Sequence, residues 1–184
     1  METKMQLKKI FISIVIIFII CLIILGGYFL YKYNTPTKLT SLDNSFTIMI
    51  PGKVNFKIKE AKDTDYKLDI YSVKDEMTFY SVGFEKTGEI NLLDAVNIER
   101  NDISKSEKNV RDMSEAINLN INNYNSYKYS YIYYDSNFNS DIYTEIVWIE
   151  TPQNVYVLDF EVVTKNMEKY KPIFSDIYNS FIIL

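Results

Sequence analysis

Between Ile10 and Tyr31 the chain runs IFISIVIIFIICLIILGGYFLY, twenty-two residues without a charge, in which Ser13 is the one clearly polar side chain among aliphatic neighbours. At a helical rise of about 1.5 Å per residue the run reaches roughly 33 Å, enough to cross a hydrocarbon core of about 30 Å with slight tilt. Sixteen of the twenty-two are Ile, Leu, Val or Phe, and at about −0.3 to −0.6 kcal/mol each near mid-bilayer they favour insertion strongly. The core helix of a soluble domain seldom runs this far without a polar face. A transmembrane helix over 10–31 is therefore expected. Tyr28, Tyr31 and Tyr33 then fall at headgroup level. Lys4, Lys8 and Lys9 precede the run and Lys32 and Lys38 follow it, so positive charge favours a short cytoplasmic tail (1–9) and an extracytoplasmic remainder. A cleaved signal peptide is the rival, but its apolar region normally stops at about 7–15 residues. Cys21 lacks the small preceding residue a lipid anchor needs, since Ile19 and Ile20 occupy those places, and reads as apolar filler.

Past the span, Lys32–Asp43 is polar, contains Pro36, and reads as a short extended linker. About 145 residues are left for one ordinary domain, placed at 44–184. Residues 35–184 carry sixteen Lys/Arg and twenty-three Asp/Glu, a net charge of −7. Such a body repels nucleic acid, polyanions and anionic headgroups, which are set aside as primary ligands. The domain has no Cys and the chain no His, so disulfide scaffolds, thiol catalysis, histidine bases and the usual zinc sites are excluded. Only carboxylates, Lys, Tyr, Ser and Thr remain as chemical groups, and no cofactor is implied.

Periodicity supplies a sequence of elements. Ser45–Ile50 has strand composition and stops at Pro51-Gly52; Val54–Lys59 alternates as a half-buried strand. Tyr66–Val73 and Met77–Phe84 form a hairpin around Lys74–Glu76. Asn91 caps a helix through about Ile103, with Leu92, Val96 and Ile103 on one side, and Ser104–Ser114 reads as loop or a further turn. Ile117–Ile121 alternates strictly and turns at Asn122-Asn123, residues that tolerate positive φ, into a strand over Tyr124–Tyr134. Asp141–Glu150 and Val155–Val163 make the clearest hairpin, whose register puts Tyr143, Glu145, Val147 and Ile149 on a core face with Tyr156, Leu158, Phe160 and Val162. Pro172 places the start of the last helix near Lys171, with Ile173, Phe174, Ile177 and Tyr178 as its buried stripe and a short strand after it.

Candidate sites are few. Tyr127, Tyr129, Tyr131 and Tyr133 project from one side of a strand. They either form an aromatic platform for sugar rings or a protein partner, or pack beneath a helix with their hydroxyls at the rim. Trp148 faces away from the main core with Ile146 and Val157, where a second helical layer would cover it; left open, it marks an interface. Glu145 falls on the core face, for which a register slip or a sheet-edge position is the expected account, a paired functional carboxylate the alternative. Glu60, Asp63, Asp65 and Asp69 lack the spacing of a calcium loop and read as solvated charge, and no phosphate loop or nucleophile motif is present.

The strand Phe46-x-Ile48-x-Ile50-Pro51, the paired strands ending in Val155–Glu161 and the closing helix with Asn179-Ser180-Phe181 together resemble the Mog1/PsbP-like superfamily over about residues 44–183. The chain departs from that pattern at Asn122-Asn123, where similar sequences often carry Gly. The resemblance implies an α+β fold in which an N-terminal transmembrane helix precedes an antiparallel sheet flanked by helices, an α-β-α sandwich. It also implies partner binding rather than catalysis. The expectation is a noncatalytic interaction module of an envelope assembly, with an extracytoplasmic small-molecule or glycan binder using the tyrosine face as the alternative.

Overall fold

The computed structural model describes residues 2–41, 44–52, 54, 57–60, 67–73, 77–86, 90–106 and 109–184, with side chains described in these except at 2–13, 57–60, 67–73 and 77. Helix α1 (Glu2–Asn34) outlasts the apolar run at both ends. Its segment Ile14–Asn34 has a mean hydropathy of 2.9, is long and apolar enough to cross a membrane, and has exposed side chains throughout among the described residues. Pro36 stops it, because the residue before a proline avoids the helical region. Thr35 finishes the last turn with its N–H and Oγ1, both donating to the Tyr31 carbonyl at 2.9 and 2.7 Å.

Of the residues read as linker, Thr37–Thr40 form strand β1, antiparallel to β2 (Phe46–Ile50), with Leu39 opposite Ile48 and buried. Ser41 Oγ accepts the N–H groups of Ser45 and Phe46 at 2.9 and 3.1 Å and closes the connection. The turn after β2 presses on the end of α1. A β-carbon at Gly52 would stand 2.4 Å from the Thr35 carbonyl oxygen, 2.6 Å from that of Lys32 and 2.7 Å from that of Tyr33. Only glycine admits so close an approach of backbone to backbone.

The remaining elements are β3 (Lys57–Glu60), β4 (Lys67–Val73), β5 (Met77–Glu85), α2 (Leu92–Ser106), β6 (Ile117–Ile121), β7 (Tyr124–Asp135), β8 (Ser140–Glu150), β9 (Asn154–Val163), α3 (Met167–Asn179) and β10 (Ile182–Ile183). One seven-stranded antiparallel sheet runs β3-β4-β5-β9-β8-β7-β6, and a three-stranded one runs β1-β2-β10. The strand read from Val54 begins at Lys57, since the Val54 N–H turns back to the Pro51 carbonyl at 2.9 Å; Phe56 lies outside the described residues. The β4–β5 arms pair Leu68 with Val82 and Ile70 with Tyr80, while Lys74–Glu76, Asp63 and Asp65 are outside the description. Asn122 and Asn123 take φ of 51° and 70°, the conformation of a two-residue hairpin turn.

Helix α3 starts at Met167, four residues before the position inferred from Pro172, which sits inside it. Burial explains the difference. The stripe continues back through Tyr170 to Met167, and the one backbone bond that Pro172 cannot donate falls on the carbonyl of Glu168 at the solvent side. Leu39, Phe46, Ile48, Phe79, Leu158, Phe160, Phe174 and Phe181 belong to the core on this face. The closing Asn179-Ser180-Phe181 is its clamp: Ser180 Oγ accepts the Met49 N–H at 2.7 Å and donates to the Ile177 carbonyl at 2.6 Å, while the Phe181 ring stacks on Phe46 at 5.0 Å. Asn122 joins it, its Nδ2 donating to the Phe181 carbonyl at 2.7 Å. The opposite face carries a second core, in which α2 lays Leu92 and Val96 on Tyr129, Tyr131, Ile146, Trp148, Val155 and Val157. The fold is α+β: a seven-stranded antiparallel sheet carries α2 on one face and α3 with the three-stranded sheet on the other.

Candidate functional site

Alternation along β7 sends Tyr127, Tyr129, Tyr131 and Tyr133 to the α2 face, where they form a packed layer. Tyr129 and Tyr131 are buried, Tyr127 and Tyr133 half-buried, and the Tyr129 and Tyr131 rings stack at 6.4 Å. Two of their hydroxyls, those of Tyr129 and Tyr133, meet acids that the sequence alone does not single out. Glu99 of α2 accepts from the Tyr129 hydroxyl and from Trp148 Nε1 at 2.9 Å. Glu161 of β9 accepts from Tyr80 and, at 3.0 Å, from Tyr133. Asp159, two residues before it on the same face, has its Oδ1 enclosed without a hydrogen-bond partner. Burial, then Glu161 and Glu99, raise the Asp159 carboxyl well above its ordinary range. Burial likewise raises Glu99 against the lowering effect of its bonds from Tyr129 and Trp148. The four hydroxyls of Tyr80, Tyr129, Tyr131 and Tyr133 are all pushed up by burial and by these acids, so they stay protonated as donors. The signal was present in the alternation Val155, Val157, Asp159, Glu161, which turns from apolar to acidic beneath the tyrosines.

The helix that covers the layer has an apolar outer side of its own. Ile90 and Ile98 are 61% and 52% exposed. With Ala95, Ile103 and the edge of Trp148 they line an open recess of about 450 Å³, bordered by Glu99 and Asp102. Trp148 is thus buried beneath α2 and also lines this apolar surface, which is open among the described residues.

Glu145 is on the other face and in another site. It stands in the middle of β8, opposite Ser130 of β7 and Phe160 of β9, so neither a slip nor an edge accounts for it. Its side chain is 7% exposed. Oε2 accepts from Tyr143 at 3.1 Å and from Lys128 Nζ at 3.4 Å, and Oε1 has no partner. Lys128 also donates to the Tyr178 hydroxyl at 3.2 Å. Burial would lower the Lys128 ammonium, but Glu145 and Tyr178 outweigh it and raise it. These groups line a cleft of about 420 Å³ between α3 and β6–β8, together with Ser114, Ile117, Ser130, Lys171, Pro172 and Ser175. The six side chains singled out in the sequence therefore divide: five in or beside the α2 layer, Glu145 alone in the α3 cleft. Among the described residues no group of three His, Cys, Asp or Glu side chains is placed to hold a metal ion.

Solved structures share this fold. LpqN of Mycobacterium tuberculosis, described as involved in cell envelope biogenesis, matches with a TM-score of 0.57 at 13% identity over 81% of this chain and 90% of its own. The cyanobacterial PsbP of Synechocystis sp. PCC 6803 gives 0.57 at 11% identity, over 82% and 93%. The Ran-binding protein Mog1p of Saccharomyces cerevisiae gives 0.55 at 10% identity, over 82% and 96%. The likeness is one of fold. No family model matches the chain, and no match was found among curated proteins.

Proposed function

We propose that this is a single-pass membrane protein whose extracytoplasmic domain, residues 32–184 including β1, is a noncatalytic accessory module that binds a protein partner in an envelope assembly through the outer side of α2. The observation that carries the reading is the exposed pair Ile90 and Ile98 beside Trp148, apolar surface that none of the described residues covers. Acids border it and the domain carries a net negative charge, so the complementary surface is an apolar segment with a basic rim. The hydropathy of Ile14–Asn34 supports the anchor, and Lys4, Lys8 and Lys9 support its orientation. The fold shared with a protein of cell envelope biogenesis supports the setting.

The test is a photocrosslinking side chain placed at Ile98 in intact membranes, with exposed Phe138 as the control position. A single adduct of defined mass is expected from position 98 and none from 138, and Ile90→Lys should abolish it. Adducts of equal pattern from both positions, or persistence in the Ile90→Lys protein, would sink the proposal. Protease added to intact cells should degrade the domain; full protection reverses the orientation.

A further inference from the structure

We propose that the recess where α1 meets the domain holds the ammonium headgroup of a phosphatidylethanolamine from the adjoining leaflet, with Asp176 and carbonyl oxygens at the end of α1 as its acceptors. This rests on the reading of α1 as a membrane span and is independent of the outer side of α2.

The depth of the recess follows from the length of the apolar run. Residues without charge end at Tyr31, and α1 continues to Asn34. At a helical rise of about 1.5 Å per residue, Asn34 stands roughly 4–5 Å beyond the edge of the hydrocarbon. A headgroup layer is about 5–7 Å thick, so the end of the helix lies within it. A recess of about 350 Å³ opens there, lined by Tyr33, Asn34 and Pro36, by Pro51 and Gly52 of the turn after β2, and by Asp176 of α3.

Its walls are negative. A helix ends in unmet carbonyls that together carry about half an elementary negative charge. Pro36 has no N–H to give the Lys32 carbonyl, and the Thr35 N–H is spent on Tyr31. The carbonyl oxygens of Lys32, Tyr33 and Thr35 all fall within 2.7 Å of the point where a Gly52 β-carbon would stand, so three acceptors are grouped at one lining residue. Asp176 adds a full charge. It is exposed in the last turn of α3 and makes no hydrogen bond or ion pair with the described residues. An acid at that place opposes the negative end of the helix dipole, so α3 gains no stability from it. The Tyr33 ring is a further attractor for a cation.

These groups discriminate among headgroups. A primary ammonium brings three N–H donors for carbonyl and carboxylate oxygens. The trimethylammonium of phosphatidylcholine brings none, phosphatidylglycerol brings no cation, and the carboxylate of phosphatidylserine is repelled by Asp176. Lys32, in the last turn of α1, is a cation at the same depth for the lipid phosphate.

The test uses full-length protein in detergent micelles, with dioctanoyl lipids added one at a time and adducts resolved by native mass spectrometry. One saturable phosphatidylethanolamine is expected, bound about fivefold or more tightly than the choline, glycerol or serine lipid. Asp176→Asn should remove most of that preference without lowering the melting temperature, while Asp102→Asn, beside α2, should retain it. Equal binding of the four lipids, or an Asp176→Asn protein with the wild-type preference, overturns the assignment. Glycerophosphoethanolamine that competes as well as the lipid overturns it in favour of a soluble amine. Flotation with phosphatidylcholine vesicles reads the span alone: protein that floats without a lipid preference loses the site only, and protein that does not float loses both.

Discussion

Asp159→Asn should stabilise the domain at neutral pH, although it replaces a charged residue beside a buried tyrosine layer. Oδ1 of Asp159 is enclosed without a partner, and Glu161 and Glu99 add repulsion to the cost of burial. An enclosed polar atom without a bond costs about 1–3 kcal/mol, and more when it is charged. The native carboxyl therefore holds its proton to higher pH than the unfolded one, which titrates near about 3.9. Above that pH the unfolded chain has released a proton that the native state still binds, so stability falls as pH rises from about 4 through the raised native value. Below about 4 both forms are protonated and the penalty is absent. The amide cannot ionise, so the variant should lose this part of the slope and retain the smaller parallel contribution of Glu99. The amide keeps the unpaired polar atom and removes only the ionisation, so each pH unit between about 4 and the raised native value adds about 1.4 kcal/mol to the difference, or roughly 3–6 °C in melting temperature for a domain of this size. The assay is thermal unfolding of the full-length protein in micelles, followed by near-ultraviolet circular dichroism at pH 4, 6 and 8. A variant that melts below the wild type at pH 8, or a difference that does not grow from pH 4 to pH 8, refutes the account.

Gly52→Ala forces a β-carbon against three backbone carbonyls at the end of α1, and should loosen the joint between α1 and the domain; faster protease cleavage near Thr35 checks it. At the β6–β7 turn, Asn123→Gly relieves a positive φ and should stabilise by about 0.5–1 kcal/mol. Asn122→Gly relieves one too but removes the bond to the Phe181 carbonyl, so denaturant midpoints should show no comparable gain. Ser180→Ala strips the Met49 N–H of its acceptor and should cost about 1–3 kcal/mol in the same titration.

Much of this architecture was legible because it is local. The length of an apolar run decides whether it can cross a bilayer, and alternation at two residues fixes which side chains share a face of a strand. On those grounds the β8–β9 register, the Asn91 cap, with Oδ1 accepting the Asp94 N–H at 2.9 Å, and the Asn122-Asn123 turn were all in view. The same register holds at Glu145 without a slip: the carboxylate is in the core, where Lys128 and Tyr143 meet it.

What the sequence by itself determined was the greasy N-terminal rod, the strand faces and the amphipathic stripes, since each depends on the spacing of neighbours along one element. Tertiary structure alone decided that Thr37–Thr40 would serve as a strand, that α3 would run through Pro172, and that Glu99 would meet Tyr129 and Trp148. Those outcomes belong to pairs far apart in the chain. Their energies come from burial and hydrogen bonds that exist only after the sheet has brought separate elements to one place, and no local period records them.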